Sequence, residues 1–405
     1  MKKLLAFLLA SMMLISALPM MVSAAEAPSI KDALTTLSNI LNGSATDADD
    51  ANDDGNINLI DVLSIIRYSL IADSIPASYN KLFDAKSSYG IYNYCPTVIE
   101  LDDGTRYVYY CTNQTSYQVI DYVGCRKGTP NADGTYTWGE EKVVLSPSTD
   151  LWDAMHTCDP SVVKGSFTYN GTDYAYLMAY LGCTSTDNQE NKVGLAVSNS
   201  PDGEFIRVGE TPIVNFTKDE TSTVFQWGVG QPSLVSKDKD GKVWLFYTRG
   251  DVNGTRTVVR ECDFSNLDAP VLGDEVKLAT TGLVTLDGTS DIINNADFAY
   301  DSEKNRFYSA SDCHPNPSDE PNYISSHFRV TYFNGNDISK AQWKYLATVG
   351  SDETGFARNH NVGLVRDEYG HTLNDGYLTV YYTVSNTGST SLWSYRLYDY
   401  HILMK

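Results

Sequence analysis

An all-β chain folded as a five-bladed β-propeller, with a small α-helical module in front of it, is what the sequence predicts, and three observations carry the prediction. From Tyr94 onward one unit returns five times at a pitch of roughly 64 to 72 residues, beginning "YCPTVIEL", "CDPSVVKG", "GQPSLVSK", "ADFAYDSE" and "HNVGLVRD". Each start is followed by a turn rich in Gly, Asp or Asn and then by a strongly β-forming run, such as "RYVYYCTN", "KVWLFYTRGD" or "YLTVYYTVSN". Helical spacing shows in the amino-terminal segment, at Leu34, Leu37, Ile40 and Leu41 and in "VLSIIRYSLI". Four strands per copy and five copies fit blades around a central channel, whereas a β-sandwich need not repeat at this pitch. The fifth copy ends after its third strand, "LWSYRLYDYHIL", so the segment before Tyr94 is the candidate outer strand that closes the ring and removes two exposed edges.

Taken in order, the chain opens "MKKLLAFLLASMMLISALPMMVSAAEAPS", in which two lysines, an apolar run and the small residues Val22, Ser23 and Ala24 read as a signal peptide over residues 1–24. The mature protein is therefore expected to be secreted, extracellular or part of a cell-surface assembly. No later segment approaches the ~20 apolar residues of a membrane span. A formal charge of -21 argues against a nucleic-acid partner, because phosphate binding runs on Lys and Arg clusters.

Residues 28–75 form the small module. Leu34, Leu37, Ile40 and Leu41 recur at helical spacing, and "VLSIIRYSLI" supplies a second helix. Between them, "DANDDGNINLID" places Asp50, Asn52, Asp54 and Asp61 at loop positions one, three, five and twelve, Gly55 at the sharp turn and the Asn56 carbonyl at position seven. That is the oxygen-ligand order of an EF-hand loop, with Asp for the usual Glu at its end, and it implies bound Ca2+. Residues 76–87, within "ADSIPASYNK" and beyond, read as a linker, and residues 88–405 as the propeller. Seven cysteines is an odd count, so at least one thiol lacks an intramolecular partner. Cys95 with Cys111 and Cys158 with Cys183 fall on consecutive strands, but spacing leaves the pairing open.

Aligning the copies puts Cys95, Asp159, Gln231, Asp297 and Asn361 at the start of the innermost strand of each blade, all facing one mouth. The loops after the second strands line the same opening and carry Asn113, Asp187, Asp251, Asp312 with His314, and Asn386. His156, Trp227, Arg358 and His360 stand just before inner strands, and the chain holds 28 tyrosines. Acceptors, donors and aromatic faces together suit sugar rings, so His156, Trp227, Gln231, Asp312, Arg358, His360 and Asn361 are candidate saccharide contacts. Paired carboxylates are what glycosidic hydrolysis needs, one to protonate the leaving oxygen and one to activate water or attack. Asp159 and Asp297 are the candidate pair, with Asp251 as an outside candidate.

Two resemblances attach to these residues. The acidic loop is similar to dockerin modules, although only one complete loop is present; a cohesin-bearing scaffold is the partner this implies. "DPSVV", "GLAVSNSPDGEF" and "RNHNVGLVRD" resemble the five-bladed propeller glycosidases grouped around glycoside hydrolase family 43. That resemblance implies a hydrolase acting on a plant or microbial polysaccharide of arabinan or xylan type, and a histidine, here His360, near a metal ion or water at the propeller axis. It also implies an Asp base in blade one, an Asp in blade two and a Glu acid in blade three. Those slots read Cys95, Asp159 and Gln231, so either the pair has moved to Asp159 and Asp297, or the propeller is a carbohydrate-binding or structural domain that does not cut.

Overall fold

The computed structural model describes residues 28–72, 75–87, 89–186, 189–373 and 376–404; the signal-peptide reading and Asp187 lie outside them. The described residues divide into two compact units, the first comprising residues 28–72, 75–76, 376–377 and 402–404, the second the described residues within 77–373 and 378–401. Among the described residues no helix is long and apolar enough to cross a membrane.

The first unit holds two helices, Ile30–Asn42 and Leu59–Ala72. Ser29 caps the first, taking the Asp32 N–H while Asp32 accepts the Ser29 N–H at 2.7 Å, and Gly43 ends it in the left-handed conformation that glycine adopts without a steric cost. Ala33, Val62 and Ile65 form its small core, with Leu37, Ile40, Ala51 and Ile66 packed around them. One partner helix covers one stripe only, so Leu34 and Leu41 of the predicted apolar set remain exposed.

The second unit is all-β and propeller-like, built of antiparallel meanders. The first runs through Asn93–Glu100, Arg106–Thr112 and Tyr122–Pro130, with Tyr136–Trp138 and Lys142–Leu145 both on the third strand. The second comprises His156–Tyr169, Thr172–Cys183, Lys192–Ser198 and Ile206–Arg207, and the third Gly228–Ser236, Lys242–Asp251 and Gly254–Asp263 with two short outer pairs. Asp297–Asp301, Arg306–Asp312, Phe328–Asn334 and Lys344–Val349 make the fourth; Arg358–Asp367, Tyr377–Ser385 and Arg396–Leu403 make the fifth. Each first strand touches the first strand of the next meander. The last pairs in parallel with the first, Val98 opposite Val365, which joins meanders five and one into a continuous sheet.

Residues 79–82, within the linker read above, lie antiparallel to the last strand of meander five through one isolated bridge, Lys81 opposite Tyr398, at the edge where an outer strand was expected. The Tyr79 and Leu82 N–H groups donate to Asp399 and Leu397 carbonyls at 2.8 and 3.0 Å, and the Asp399 N–H returns to Asn80. The core lies between meanders: Val163, Leu177, Val229 and Leu245 fill one interface, and Phe246 stacks on Phe298 at 4.0 Å in the next. Inner strands are buried on both faces, which is why their sequences run apolar rather than alternate.

Candidate active site

Five non-glycine residues at the inner-strand starts adopt left-handed backbone: Cys95 (φ 53°), Asp159 (46°), Gln231 (52°), Asn295 (48°) and Asn361 (46°). In four meanders the ladder register breaks there, between Tyr94 and Thr97, Cys158 and Ser161, Gly230 and Ser233, and His360 and Gly363. A bulge of this kind re-aims one side chain, and a side chain held at positive φ costs about 1–3 kcal/mol unless the surroundings enforce it. The five side chains line one cavity together with Asp297.

In the fourth meander the left-handed slot belongs to Asn295, not to Asp297 as the alignment above had it. The repeated pattern is slot residue, Pro or small apolar, small polar, apolar: Asp159-Pro-Ser-Val matches Asn295-Ala-Asp-Phe. Asp297 therefore corresponds to Thr97, Ser161, Ser233 and Gly363, on the same face but about 7 Å further along the strand. Gly363 is small because a Cβ there would collide with the Pro96 carbonyl.

The slots are wired around the ring. Three of their N–H groups donate to a side chain on the second strand of the preceding meander: Cys95 to Thr383 Oγ1 at 3.2 Å, Asp159 to Cys111 Sγ at 3.0 Å, and Asn361 to Asp312 Oδ1 at 3.0 Å. Asn295 N–H donates to Gln231 Oε1 at 3.2 Å, and the Gln231 backbone donates to the Asp159 carboxylate. One layer below, Arg366 is fully buried and reaches from meander five to the Leu234 and Phe298 carbonyls (3.0 and 2.8 Å), Thr97 Oγ1 (3.1 Å) and Asp297 Oδ1 (3.1 Å). Asp297 also accepts from Ser233 Oγ at 2.6 Å and Leu364 N–H at 2.9 Å, so both its oxygens act as acceptors.

Asp159 lies in a different setting. Cys111 and Cys158 form a disulfide, so neither open pairing considered above is the one made, and Cys95, Cys125, Cys183, Cys262 and Cys313 are free. The disulfide packs with Leu181, Tyr94, Cys95 and Trp227, and its two sulfurs lie 3.7 and 3.3 Å from Asp159 Oδ1. Burial pushes the Asp159 carboxyl up to about 6, aided by the charge of Asp121 and opposed by hydrogen bonds from the Cys95 thiol and the Gln231 backbone. Trp227 is half-buried and rests on Gly230 and Gly250; a Cβ at Gly250 would collide with the indole.

The remaining candidates fall into two groups. His156 Nδ1 stands 2.6 Å from Asp121 Oδ2, Asp121 Oδ1 accepts the Tyr92 hydroxyl at 2.7 Å, and His156 Nε2 is buried with no partner. His360 is wholly buried against Tyr395, its Nδ1 2.5 Å from Asn361 Oδ1 and its Nε2 likewise unpartnered; burial lowers its pKa to about 4. Asp312, pushed by burial up to about 7, accepts from Asn295 Nδ2 at 2.7 Å and from Asn361 N–H, and so fixes two slots.

Two of the sequence candidates are turned elsewhere. Arg358 is buried with its guanidinium spent on Asp319 and on carbonyls of Asp319, Pro321 and Ala357. Asp251 sits on a hairpin in a two-point pair with Arg256, at 2.8 and 2.7 Å, and that pairing lowers its pKa. Neither lines the cavity. Asn295, Tyr94, Asp121 and Arg366 were not singled out in the sequence. The slot pattern identifies Asn295; the other three become visible only when meanders are brought together.

In the first unit Asp50 accepts the Asp54 and Gly55 N–H groups, and Asp61 accepts those of Ala51, Asn52 and Asn58. Asp50, Asn52 and Asp54, with the Asn56 carbonyl and Asp61, are an all-oxygen, acid-rich donor set, which fits a hard cation such as Ca2+.

Comparison with known proteins adds the following. Residues 44–266 match the family "Glycosyl hydrolases family 43". Among solved structures, Zg3597, a family 117 glycoside hydrolase produced by the marine bacterium Zobellia galactanivorans, is similar with a TM-score of 0.52 and 14% identity, covering 81% of this chain and 90% of that one. The catalytic domain of the Coprinopsis cinerea GH62 alpha-L-arabinofuranosidase gives 0.51 and 11% over 81% and 96%. A thermostable family-43 glycoside hydrolase gives 0.50 and 15% over 80% and 94%. At these identities the likeness is one of fold. No curated protein matches the sequence.

Proposed function

The chain belongs to glycosyl hydrolases family 43 and is a glycoside hydrolase, and we propose that it is secreted and cleaves an arabinan- or xylan-type polysaccharide with Asp159 as acid and Asp297 as base or nucleophile. The five meanders are the five blades of a propeller, and the cavity at their inner ends receives the scissile bond. The single observation that supports the assignment is that two carboxylates line one cavity in opposed environments. Asp159, held by burial at about 6, keeps a protonated fraction near neutral pH and can give that proton to the leaving oxygen. Asp297, with a donor on each oxygen, is held as an acceptor and is suited to activating water or attacking the anomeric carbon. Trp227, half-buried and packed against the disulfide cluster, is the aromatic side chain that would offer an apolar face to the sugar ring. A metal ion at the axis would be held through His360 Nε2 and would supply positive charge to orient a bound hydroxyl.

Reducing ends released from arabinan, xylan and mannan by wild type, Asp159→Asn and Asp297→Asn test this reading. Release from at least one polymer by wild type, abolished in both variants, is expected. Full release by Asp159→Asn, or binding without any release by wild type, would overturn it. The first unit is a calcium-dependent dockerin-like module whose partner is a cohesin-bearing scaffold. Calorimetry with Ca2+ should show binding heat in wild type and none in Asp54→Ala.

A further inference from the structure

Three sulfurs and a carboxylate meet beside the cavity, and the hydrolytic reading uses only the carboxylate. Cys95 Sγ, Cys111 Sγ and an oxygen of Asp159 lie within 4.8 Å of one another. Cys158, bonded to Cys111, brings its Sγ to 3.3 Å from Asp159 Oδ1. The four groups come from three strands of two neighbouring meanders, so the fold and not a local motif assembles them.

While the disulfide is closed, its sulfurs carry no thiolate and only Cys95 and Asp159 can ligate. Opening it changes the donor set. A phosphine and one water convert the S–S bond into two thiols: the phosphine gives two electrons and leaves as its oxide with the water oxygen, and the water supplies the two protons; a dithiol supplies both electrons and protons and closes to its own disulfide. Three cysteines and one carboxylate then surround a common point. Zinc takes such a set tetrahedrally, with Zn–S of about 2.3 Å and Zn–O of about 2.0–2.2 Å, which spaces sulfurs by roughly 3.7 Å. The Cys95, Cys111 and Asp159 donor atoms already lie within 4.8 Å of one another, and the Cα atoms of Cys111 and Cys158, 5.1 Å apart, leave room for their sulfurs to separate by rotation about χ1.

We propose that reduction of Cys111–Cys158 creates a binding site for a zinc-class divalent cation from Cys95, Cys111, Cys158 and Asp159, and that occupancy removes Asp159 from proton transfer. On binding, the ion displaces the three thiol protons to solvent. The free cysteines elsewhere, Cys125, Cys183, Cys262 and Cys313, are buried and stand outside this cluster. The existence of the site does not depend on the sugar chemistry; the loss of proton transfer on occupancy rests on the proposed role of Asp159 as acid.

The test is a Co2+ titration of the full-length protein, before and after phosphine reduction under nitrogen. Cobalt in a tetrahedral thiolate site gives intense d–d and sulfur-to-metal bands, whereas cobalt in an oxygen-only loop gives weak ones, so the acidic loop of the first unit does not interfere. The expected result is one equivalent of strongly absorbing Co2+ in the reduced protein, displaced by Zn2+, with the bands reduced at least tenfold in the oxidised protein and in Cys95→Asn. Asn is chosen because it already occupies the equivalent left-handed slot at Asn361. Near-UV circular dichroism checks each sample. Absence of bands in reduced wild type, bands of equal strength in oxidised protein or in Cys95→Asn, or loss of the native near-UV signal on reduction would each overturn the proposal.

Discussion

Meanders two and four each present a carboxylate to the same cavity, and they treat it in opposite ways. Beside Asp159 stand the sulfurs of a disulfide that belongs to an apolar cluster, with the Cys95 thiol and the Gln231 main chain as donors. Around Asp297 stand a guanidinium, a hydroxyl and a main-chain N–H. The two residues are not symmetry mates either: one occupies the left-handed slot and the other the position two residues deeper. An apolar surround favours the protonated form, and a ring of donors suits an acceptor. Role is thus set by what neighbouring meanders bring, and the residue type alone does not decide it.

The sharpest way to break this comparison is Asp159→Asn. If Asp159 is the proton donor, kcat/KM should fall by about 10²–10⁴ while the thermal midpoint holds or rises; a fall of less than tenfold would place the acid elsewhere. Next comes the pin under Asp297. Arg366→Met leaves a buried carboxylate uncompensated and should cost about 3–5 kcal/mol in urea unfolding, most of it regained when Asp297→Leu is added. A loss under 1 kcal/mol would mean that the meanders do not lean on this pair.

The pH dependence of stability separates the two sides again. Asp159 has a folded-state pKa raised from 3.8 to about 6, so its neutral form favours the fold. That contribution is complete below the unfolded value and is lost as pH rises through about 6. A shift of this size corresponds to about 3 kcal/mol, and Asp312, raised to about 7, adds a loss of the same sign. Unfolding free energies at pH 4.5 and 7.5 should therefore differ less in Asp159→Asn than in wild type; an unchanged difference would remove the apolar cradle from the account. The smallest effect is expected at Asp251. Its pair with Arg256 is on a hairpin, so Asp251→Asn should shift stability by at most ~1 kcal/mol and leave hydrolysis intact.

The repeat and its pitch were legible because each meander must solve the same packing problem with the same strand pattern. The mouth was legible too, since Cys95, Asp159, Gln231 and Asn361 do share one cavity. The fourth slot was misplaced by two residues. The carboxylate at Asp297 stands where an acid was expected, yet Asn295 is the residue that holds the left-handed backbone in this meander. Arg366 is not legible because nothing in "GLVRDE" sets it apart from an exposed arginine; its partners Thr97, Leu234, Phe298 and Asp297 come from meanders one, three and four. Arg358 and Asp251 were over-read for the converse reason, their partners at Asp319 and Arg256 being absent from any motif.

The antiparallel pairing of residues 79–82 with the final strand bears on how the chain is made. Asn80 and Asp399, which bond across that seam, are 319 positions apart. At a synthesis rate of about 5–20 residues per second, the early segment waits roughly 16 to 64 s for its mate to leave the ribosome. During that interval its hydrogen-bonding edge is open to any other nascent strand, so nascent-chain crowding or a stalled terminus should be felt first at this joint.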